Sequence, residues 1–145
     1  MTQPARRVAG ILGGARALGK SIATPLQMRR AVRSGLPFAA LEALTGALGV
    51  GQASMISILG ISPRTLARRK REKVLTPVES DRLYRIAYLT TLAAETLGSE
   101  EKAGAWLRRP NRALGGERPI ELLDTEIGER QVEEVLTRLA HGVYS

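Results

Sequence analysis

The apolar residues of this chain recur every three or four positions, which is the spacing of an amphipathic helix. In the last segment they fall on one helical face, at Val132, Val135, Leu136, Leu139 and Val143. A longer helix is predicted from Thr76, where Thr76-Pro-Val-Glu79 forms a capping box, to Leu97, with Gly98 as its stop. The remaining pattern offers no strands for a sheet. We therefore predict an all-α fold.

Helix starts in the first half are marked by threonine, serine, proline and glycine. Thr24-Pro25 and Ser62-Pro63 each read as a cap followed by proline in the first turn, where proline loses no hydrogen bond. Gln52–Arg71 then reads as helix, glycine turn and helix, which predicts a helix-turn-helix. Its packing positions are filled by Met55, Leu59, Gly60, Ile61 and Leu66. Arg69 stands where an apolar residue is usual, so the register or end of the second helix stays open.

These boundaries predict three parts. Residues 1–23 carry Arg6, Arg7, Arg16 and Lys20, several glycines and no acid, and read as a basic flexible arm. Residues 24–98 form a helix-turn-helix domain, in which Thr76–Gly98 is a long connecting helix, roughly 30 Å long at about 1.5 Å per residue. Residues 99–145 form a small helical domain.

Charge is divided unevenly between the two halves of the chain. The net charge is +8, yet residues 1–75 hold 13 lysines and arginines against two acids, and residues 76–145 hold nine against 12. This asymmetry indicates a polyanion partner for the first half and a protein partner for the second. The absence of cysteine excludes disulfides and thiolate metal sites. No apolar run approaches the roughly 20 residues of a membrane span, and we expect a cytoplasmic protein.

One motif is typical of a different function, the binding of nucleotide phosphates. The segment from Gly14 to Ser21, GARALGKS, matches the phosphate-binding pattern GxxxxGK[ST]. Such a loop follows a buried strand and opens a long helix, but no strand is predicted before it and Pro25 interrupts a helix that begins near Gly19. We interpret the match as chance in a segment biased towards glycine and cations.

The chain shows no catalytic set of residues. It has one histidine and no cysteine, and Glu79 and Asp81 are explained as carboxylates that complement the start of a helix. We therefore predict that the protein is not an enzyme, with no cofactor, no metal site and no small-molecule substrate.

The segment from Trp106 to Tyr144 is the most informative stretch. A turn rich in proline, asparagine and glycine follows the only tryptophan, and Pro119 reads as the first residue of a short helix. The strings WL, PN, ALGG, PIELL and HGVY in this segment resemble the toxin-binding domain of Xre/MbcA/ParS-type antitoxins. Trp106 also reads as a core residue, and the two interpretations are compatible.

This resemblance implies an antitoxin that binds a RES-domain toxin, a consumer of NAD, and blocks the NAD cleft with its C-terminal end. It implies a toxin-binding set made of Trp106, Pro110, Asn111, Leu114, Gly115, Gly116, Pro119, Leu122, Leu123, His141, Gly142, Val143, Tyr144 and Ser145. From its position alone, His141 would instead face the carbonyl groups at the end of the last helix.

The first half resembles the degenerate helix-turn-helix of the same antitoxins, through GISPRTLARRK followed by LTPVES. Cations crowd the second helix, as expected for a helix that meets phosphates and guanine edges in the major groove. The predicted DNA-binding residues are Arg64, Thr65, Arg68, Arg69, Lys70 and Arg71. The resemblance implies operator binding that represses the protein's own operon, a homodimer, and a higher hetero-oligomer with the toxin. In some members this fold mainly dimerises, and a stand-alone helix-turn-helix regulator without a toxin is the alternative.

Overall fold

A computed structural model describes residues 4–142 of the chain, and 76% of these are helical. The α-helices are α1 (Pro4–Ile11), α2 (Gly14–Leu18), α3 (Pro25–Ser34), α4 (Phe38–Leu48), α5 (Gln52–Leu59), α6 (Pro63–Glu72), α7 (Pro77–Leu97), α8 (Glu100–Arg108) and α9 (Glu126–Ala140). Between α8 and α9 lie a 3-10 turn, Arg112–Leu114, and a 3-10 helix, Pro119–Asp124. Residues 4–142 contain no strand, only an isolated bridge between Pro37 and Val74. The prediction of an all-α fold is confirmed.

Side-chain caps explain where the helices begin. The Thr24 and Thr76 hydroxyls each accept a hydrogen bond from the N–H of the third helical residue. The side chain of that third residue accepts the backbone N–H of the threonine in return. Ser62 and Ser99 cap α6 and α8 in the simpler one-way manner. Each cap satisfies an N–H group that the helix itself leaves unpaired. The predicted starts of α3, α6 and α7 are confirmed.

Helix α7 is the central element of the fold. Its 21 residues contact α1, α3, α8 and α9, and Leu83, Ile86 and Ala87 on its inner side are fully buried. The predicted long helix therefore joins the first half of the chain to the second through one continuous core.

A second contact between the halves is made by α4 and α8. Gly104 is buried against the end of α4, where a Cβ would lie 3.1 Å from the Leu48 carbonyl oxygen. Arg108 donates from Nη1 to the carbonyl oxygens of Leu48, at 2.8 Å, and Gly49, at 3.3 Å. An arginine from the second half thus satisfies carbonyl groups that α4 leaves open at its C-terminal end.

The prediction of a flexible arm is wrong for residues 4–23. Helix α1 packs on α7, and its apolar side is buried, as are Leu18 and Ile22 further on. Arg7 also pairs with Glu95 of α7, at 3.3 Å. The glycines in this segment make a turn: Gly13 and Gly14, with φ of 99° and 67°, reverse the chain between α1 and α2. Residues 1–3 lie outside the described part.

The phosphate-loop pattern folds as a short helix. Residues Gly14–Leu18 form α2, Leu18 is buried, and the element before them is helix α1. The strand, open loop and helix that such a motif requires are therefore not formed by these residues.

Candidate functional site

Helices α5 and α6 form the predicted helix-turn-helix. Gly60 ends α5 in a left-handed conformation, with φ of 71°, and Met55 and Leu59 of α5 are buried beneath the turn. Arg82 of α7 donates to the Leu59 carbonyl oxygen at 2.7 Å and so holds the end of α5. Helix α6 has no fully buried residue, and its apolar contact with the core is made by the partly buried Leu66. It therefore lies on the surface, as a DNA-reading helix must.

The exposed side of α6 carries a stripe of arginines. Arg64, Arg68 and Arg71 follow one another at intervals of four and three residues, so they share one helical face. All three are exposed, as is Lys70, and none pairs with an acid among residues 4–142. Thr65 is half-buried and is held by Ser62, whose hydroxyl donates to the Thr65 hydroxyl at 3.1 Å. The stripe offers three guanidinium groups to a polyanion along the length of the helix.

Arg69 departs from the predicted DNA-binding set. Its Nε donates to Glu79 at 2.7 Å and its Nη1 to Glu72 at 3.3 Å, and only 13% of its side chain is exposed. Glu79 in turn accepts the Thr76 N–H, so one carboxylate closes the α7 capping box and binds α6 to α7. Arg69 is withdrawn from the DNA-contacting set, because its guanidinium is already used inside the domain. It replaces the apolar residue usual at this position with a buried ion pair.

The Arg69–Glu79 pair also shifts both ionisation equilibria. The hydrogen bond to Glu79 raises the pKa of Arg69. Burial alone would raise the pKa of Glu79, but the hydrogen bonds from Arg69 and Thr76 outweigh it and lower that pKa below 4.5. Both partners therefore stay charged at neutral pH.

Replacing Glu79 by glutamine should lower the free energy of unfolding by about 2 kcal/mol near neutral pH, because Arg69 loses its buried partner. Since the folded pKa of Glu79 is depressed, its contribution is complete above the unfolded pKa, about 4.5, and is lost as the pH falls through the folded value. Denaturant unfolding, followed by circular dichroism across this acidic range, should show that the variant loses less stability on acidification than the wild type.

Glu72→Gln is the matched control for this measurement. It removes the other carboxylate on Arg69, but that side chain is 51% exposed, so the expected loss is below about 0.5 kcal/mol. Equal losses in the two variants would contradict a special role for the Glu79 pair.

In the second half, the predicted toxin-binding turn is a closed loop. Asn111 donates its N–H to the Glu117 carbonyl and accepts the Gly116 N–H on its own carbonyl, both at 2.9 Å. Its side chain also accepts the Ala113 N–H at 2.9 Å. Gly115 and Gly116 have φ of 69° and 84°, which other residues rarely adopt. The sequence PNRALGG therefore encodes a rigid turn.

The residues predicted to bind the toxin divide into an exposed and an inward set. Pro110, Gly115, Gly116, His141 and Gly142 are exposed, and Asn111 is half-buried. The inward residues are Leu114, Pro119 and Leu123, which are buried, and Trp106 and Leu122, which are partly buried against the core. The side chains of the three buried residues are covered by their own fold, which does not fit the prediction that they contact the toxin directly. Val143, Tyr144 and Ser145 lie outside the described residues.

Ile127 was missed by the sequence reading. It lies in the first turn of α9 and is 75% exposed, the largest exposure among the large apolar side chains within residues 4–142. The sequence contains a signal for it, because Ile127 falls off the buried stripe that passes through Gly128, Val132, Val135 and Leu136. It adds an exposed apolar side chain to the surface of the second half.

Neither a group of metal ligands nor a membrane-spanning helix is found in the described part of the chain. No group of three histidine, aspartate or glutamate side chains within residues 4–142 is placed to hold a metal ion. The helices of the same residues include none with the length and apolar character that a membrane crossing requires.

The fold and its two surfaces define a class: an all-α protein that joins a helix-turn-helix domain to a helical partner-binding domain. Comparison with known proteins identifies the family. Residues 27–88 match the antitoxin Xre-like helix-turn-helix domain, and residues 92–142 match the antitoxin Xre/MbcA/ParS C-terminal toxin-binding domain. The chain belongs to the Xre family of antitoxins. It is an antitoxin of a toxin–antitoxin system and not an enzyme.

Individual relatives agree with this assignment. Antitoxin Xre of Photorhabdus laumondii is 32% identical over 116 residues, 79% of this chain and 78% of the relative. Antitoxin Xre of Pseudomonas putida is 42% identical over 80 residues, which are 54% of this chain and half of that relative. A chain in the crystal structure of the Mycobacterium tuberculosis MbcT–MbcA toxin–antitoxin complex is 25% identical, with a TM-score of 0.53, over 70% of this chain and 90% of its own length. The predicted family is confirmed.

Proposed function

We propose that this antitoxin neutralises a RES-domain, NAD-consuming toxin by covering its active site. The observation that carries the proposal is the match of residues 92–142 to a toxin-binding domain. The rigid turn of this domain, Pro110–Gly116, is closed by backbone hydrogen bonds and exposes Pro110, Gly115 and Gly116. A turn that is already ordered loses little conformational entropy when it docks, which favours affinity. The C-terminal end, which follows α9 in the sequence from His141 onwards, blocks the NAD cleft.

The first half supplies the second activity in this proposal. The surface helix α6, whose Arg64, Arg68 and Arg71 pair with no acid within residues 4–142, binds operator DNA and represses the operon that encodes both proteins. The antitoxin acts as a homodimer in the cytoplasm, and the toxin assembles these dimers into a larger complex. Two observations support this: the helix-turn-helix domain matches over 62 residues, from 27 to 88, and these residues hold 11 lysines and arginines against four acids.

Co-expression with the neighbouring reading frame tests the toxin activity. The full chain should co-purify with the neighbouring protein and prevent the loss of cellular NAD that this protein causes alone. A chain ending at Ala140 keeps all of α9, so it should still capture the toxin while NAD loss returns.

Lys20→Ala is the control for this experiment. Lys20 is exposed in the first half, so capture and NAD protection should be unchanged. If the full chain captures no second protein but still binds its upstream DNA, the stand-alone regulator is the correct function. If it captures a toxin that leaves NAD intact, the RES-domain assignment is wrong.

A further inference from the structure

A second group of arginines lies on α3, within the matched domain but outside the helix-turn-helix motif formed by α5 and α6. Arg29, Arg30 and Arg33 are exposed on this helix, which is fixed to the fold by the buried side chains of Met28 and Ala31. None of the three arginines has an ion-pair partner within residues 4–142. We call this group the α3 surface. The sequence reading gave it no role.

The α3 surface lies next to the end of α6. The residues after α3 pair with those after α6 in the Pro37–Val74 bridge, where the Phe38 N–H donates to the Lys73 carbonyl at 3.0 Å. Gly35, which ends α3, comes so close that a Cβ there would overlap the Leu75 carbonyl. The segments that follow α3 and α6 are therefore held against each other, which brings the C-terminal ends of the two helices to the same bridge.

This junction places the two sets of arginines on neighbouring elements. Arg33 lies in the last turn of α3, and Arg29 lies one helical turn earlier, about 6 Å along the axis. On the other side of the junction, Lys73 ends α6 and Arg71 belongs to its exposed stripe. Exposed cations on α6 and on α3 thus lie on the two elements that this bridge joins.

Little negative charge balances this surface. Residues 1–75 contain two acids, Glu42 and Glu72, and Glu72 is bound to Arg69. Asp81 lines the groove beside Arg29 and Arg33, but it pairs with Arg85 at 3.5 Å. A surface of this sign, on an element joined by the bridge to the helix proposed to read DNA, fits the phosphate backbone.

We propose that the α3 surface binds phosphates of the same duplex that α6 reads. This inference rests on the DNA-binding part of the proposed function. Phosphate contacts fix the position of a protein on DNA but carry no sequence information. The α3 surface therefore supplies affinity and salt dependence, and α6 supplies the preference for the operator.

The test replaces all three arginines, as Arg29→Gln/Arg30→Gln/Arg33→Gln, and measures binding of the full chain by fluorescence anisotropy. The probes are a duplex from immediately upstream of the gene and a shuffled duplex of equal length. Affinity for both should fall by a similar factor, roughly tenfold or more at low salt. The slope of log K against log salt should become shallower by about 2 to 3. The ratio of the two affinities should not change.

Two further variants make the test specific. Arg29→Lys/Arg30→Lys/Arg33→Lys keeps the charge and should restore most of the affinity, which a folding defect in the glutamine variant would not explain. Lys102→Gln/Arg109→Gln/Arg112→Gln removes the same charge from exposed positions in the second half and should leave the slope nearly unchanged.

Three results would overturn the proposal. An unchanged slope in the α3 variant would exclude phosphate contacts, and a lower affinity ratio would show that α3 reads bases. An equal effect of the control variant would show that only net charge matters. If the wild type binds neither duplex, the DNA-binding function itself fails. If it binds and only α6 variants weaken it, that function stands and the α3 surface is excluded.

Discussion

Replacing Gly128 by alanine should destabilise the second half of the chain by about 3 kcal/mol and abolish toxin capture at growth temperature. Gly128 is buried in the first turn of α9, where its N–H binds the Thr125 cap at 3.0 Å. A Cβ there would lie 2.7 Å from the Leu122 carbonyl carbon and closer still to its oxygen. These atoms are backbone, so no rotamer change relieves the overlap, and α9 would have to move away from the 3-10 helix 119–124.

Gly46→Ala is the matched control for this prediction. Gly46 also lies inside a helix, α4, but it is exposed, and a Cβ there meets nothing within 4 Å. Alanine is favoured over glycine in a helix, so this variant should gain about 0.5 to 1 kcal/mol. Thermal and denaturant unfolding of both variants, followed by co-purification with the toxin, measures the difference. If Gly128→Ala were as stable as the wild type, the close packing of α9 on Leu122 would be incorrect.

This contact shows a limit of sequence reading. The proline at the start of the 3-10 helix and the stripe through Val132 and Leu136 were visible in the sequence, because caps and helical periodicity are local properties. The need for glycine at position 128 depends on the distance between two backbones six residues apart, which no local pattern encodes. The family resemblance located the domain, and only the fold explains why this residue is small.

The N-terminal helices show why the prediction of a flexible arm fails. Glycine and arginine are poor signals of a core, so residues 1–23 read as flexible. Yet Val8 and Leu12, four residues apart, are buried against the rest of the fold. Of the glycines that suggest flexibility, Gly13 and Gly14 instead make a tight turn in which the backbone has a positive φ, and Gly10 lies inside α1. A short amphipathic helix is hard to recognise when glycines lie within it and shortly after it.

The sequence places Arg69 in the DNA-binding set because it does not reveal the ion-pair partner of Arg69, which lies in another helix. The capping box of α7 was predicted, including Glu79, but that box occupies only part of the carboxylate's hydrogen-bonding capacity. The remaining capacity accepts from Arg69, ten residues earlier and in another helix. Because this pair uses Arg69 inside the domain, the α6 arginines that remain available to contact DNA are Arg64, Arg68 and Arg71.

Replacing Arg64 and Arg68 together by glutamine should therefore weaken operator binding by roughly a hundredfold or more, because each bidentate arginine contact contributes about 1 to 3 kcal/mol. The expected loss is greater for the upstream duplex than for a shuffled one, so the preference for the operator should collapse. Both side chains are exposed and outside every ion pair within residues 4–142, so the fold should keep its stability. Anisotropy titrations at several salt concentrations, with unfolding curves for each variant, separate lost contacts from lost structure.

Arg109→Gln/Arg112→Gln is the charge-matched control for this double variant, since both positions are exposed in the second half of the chain. It removes the same two charges far along the sequence from α6, so it should preserve the operator preference and lower affinity by only a small factor through net charge. Comparing the two double variants distinguishes base reading by α6 from the general attraction of a basic protein to DNA. Retained operator preference in the Arg64/Arg68 variant would mean that another element reads the bases, because a helix that reads sequence cannot lose its two leading arginines without losing discrimination.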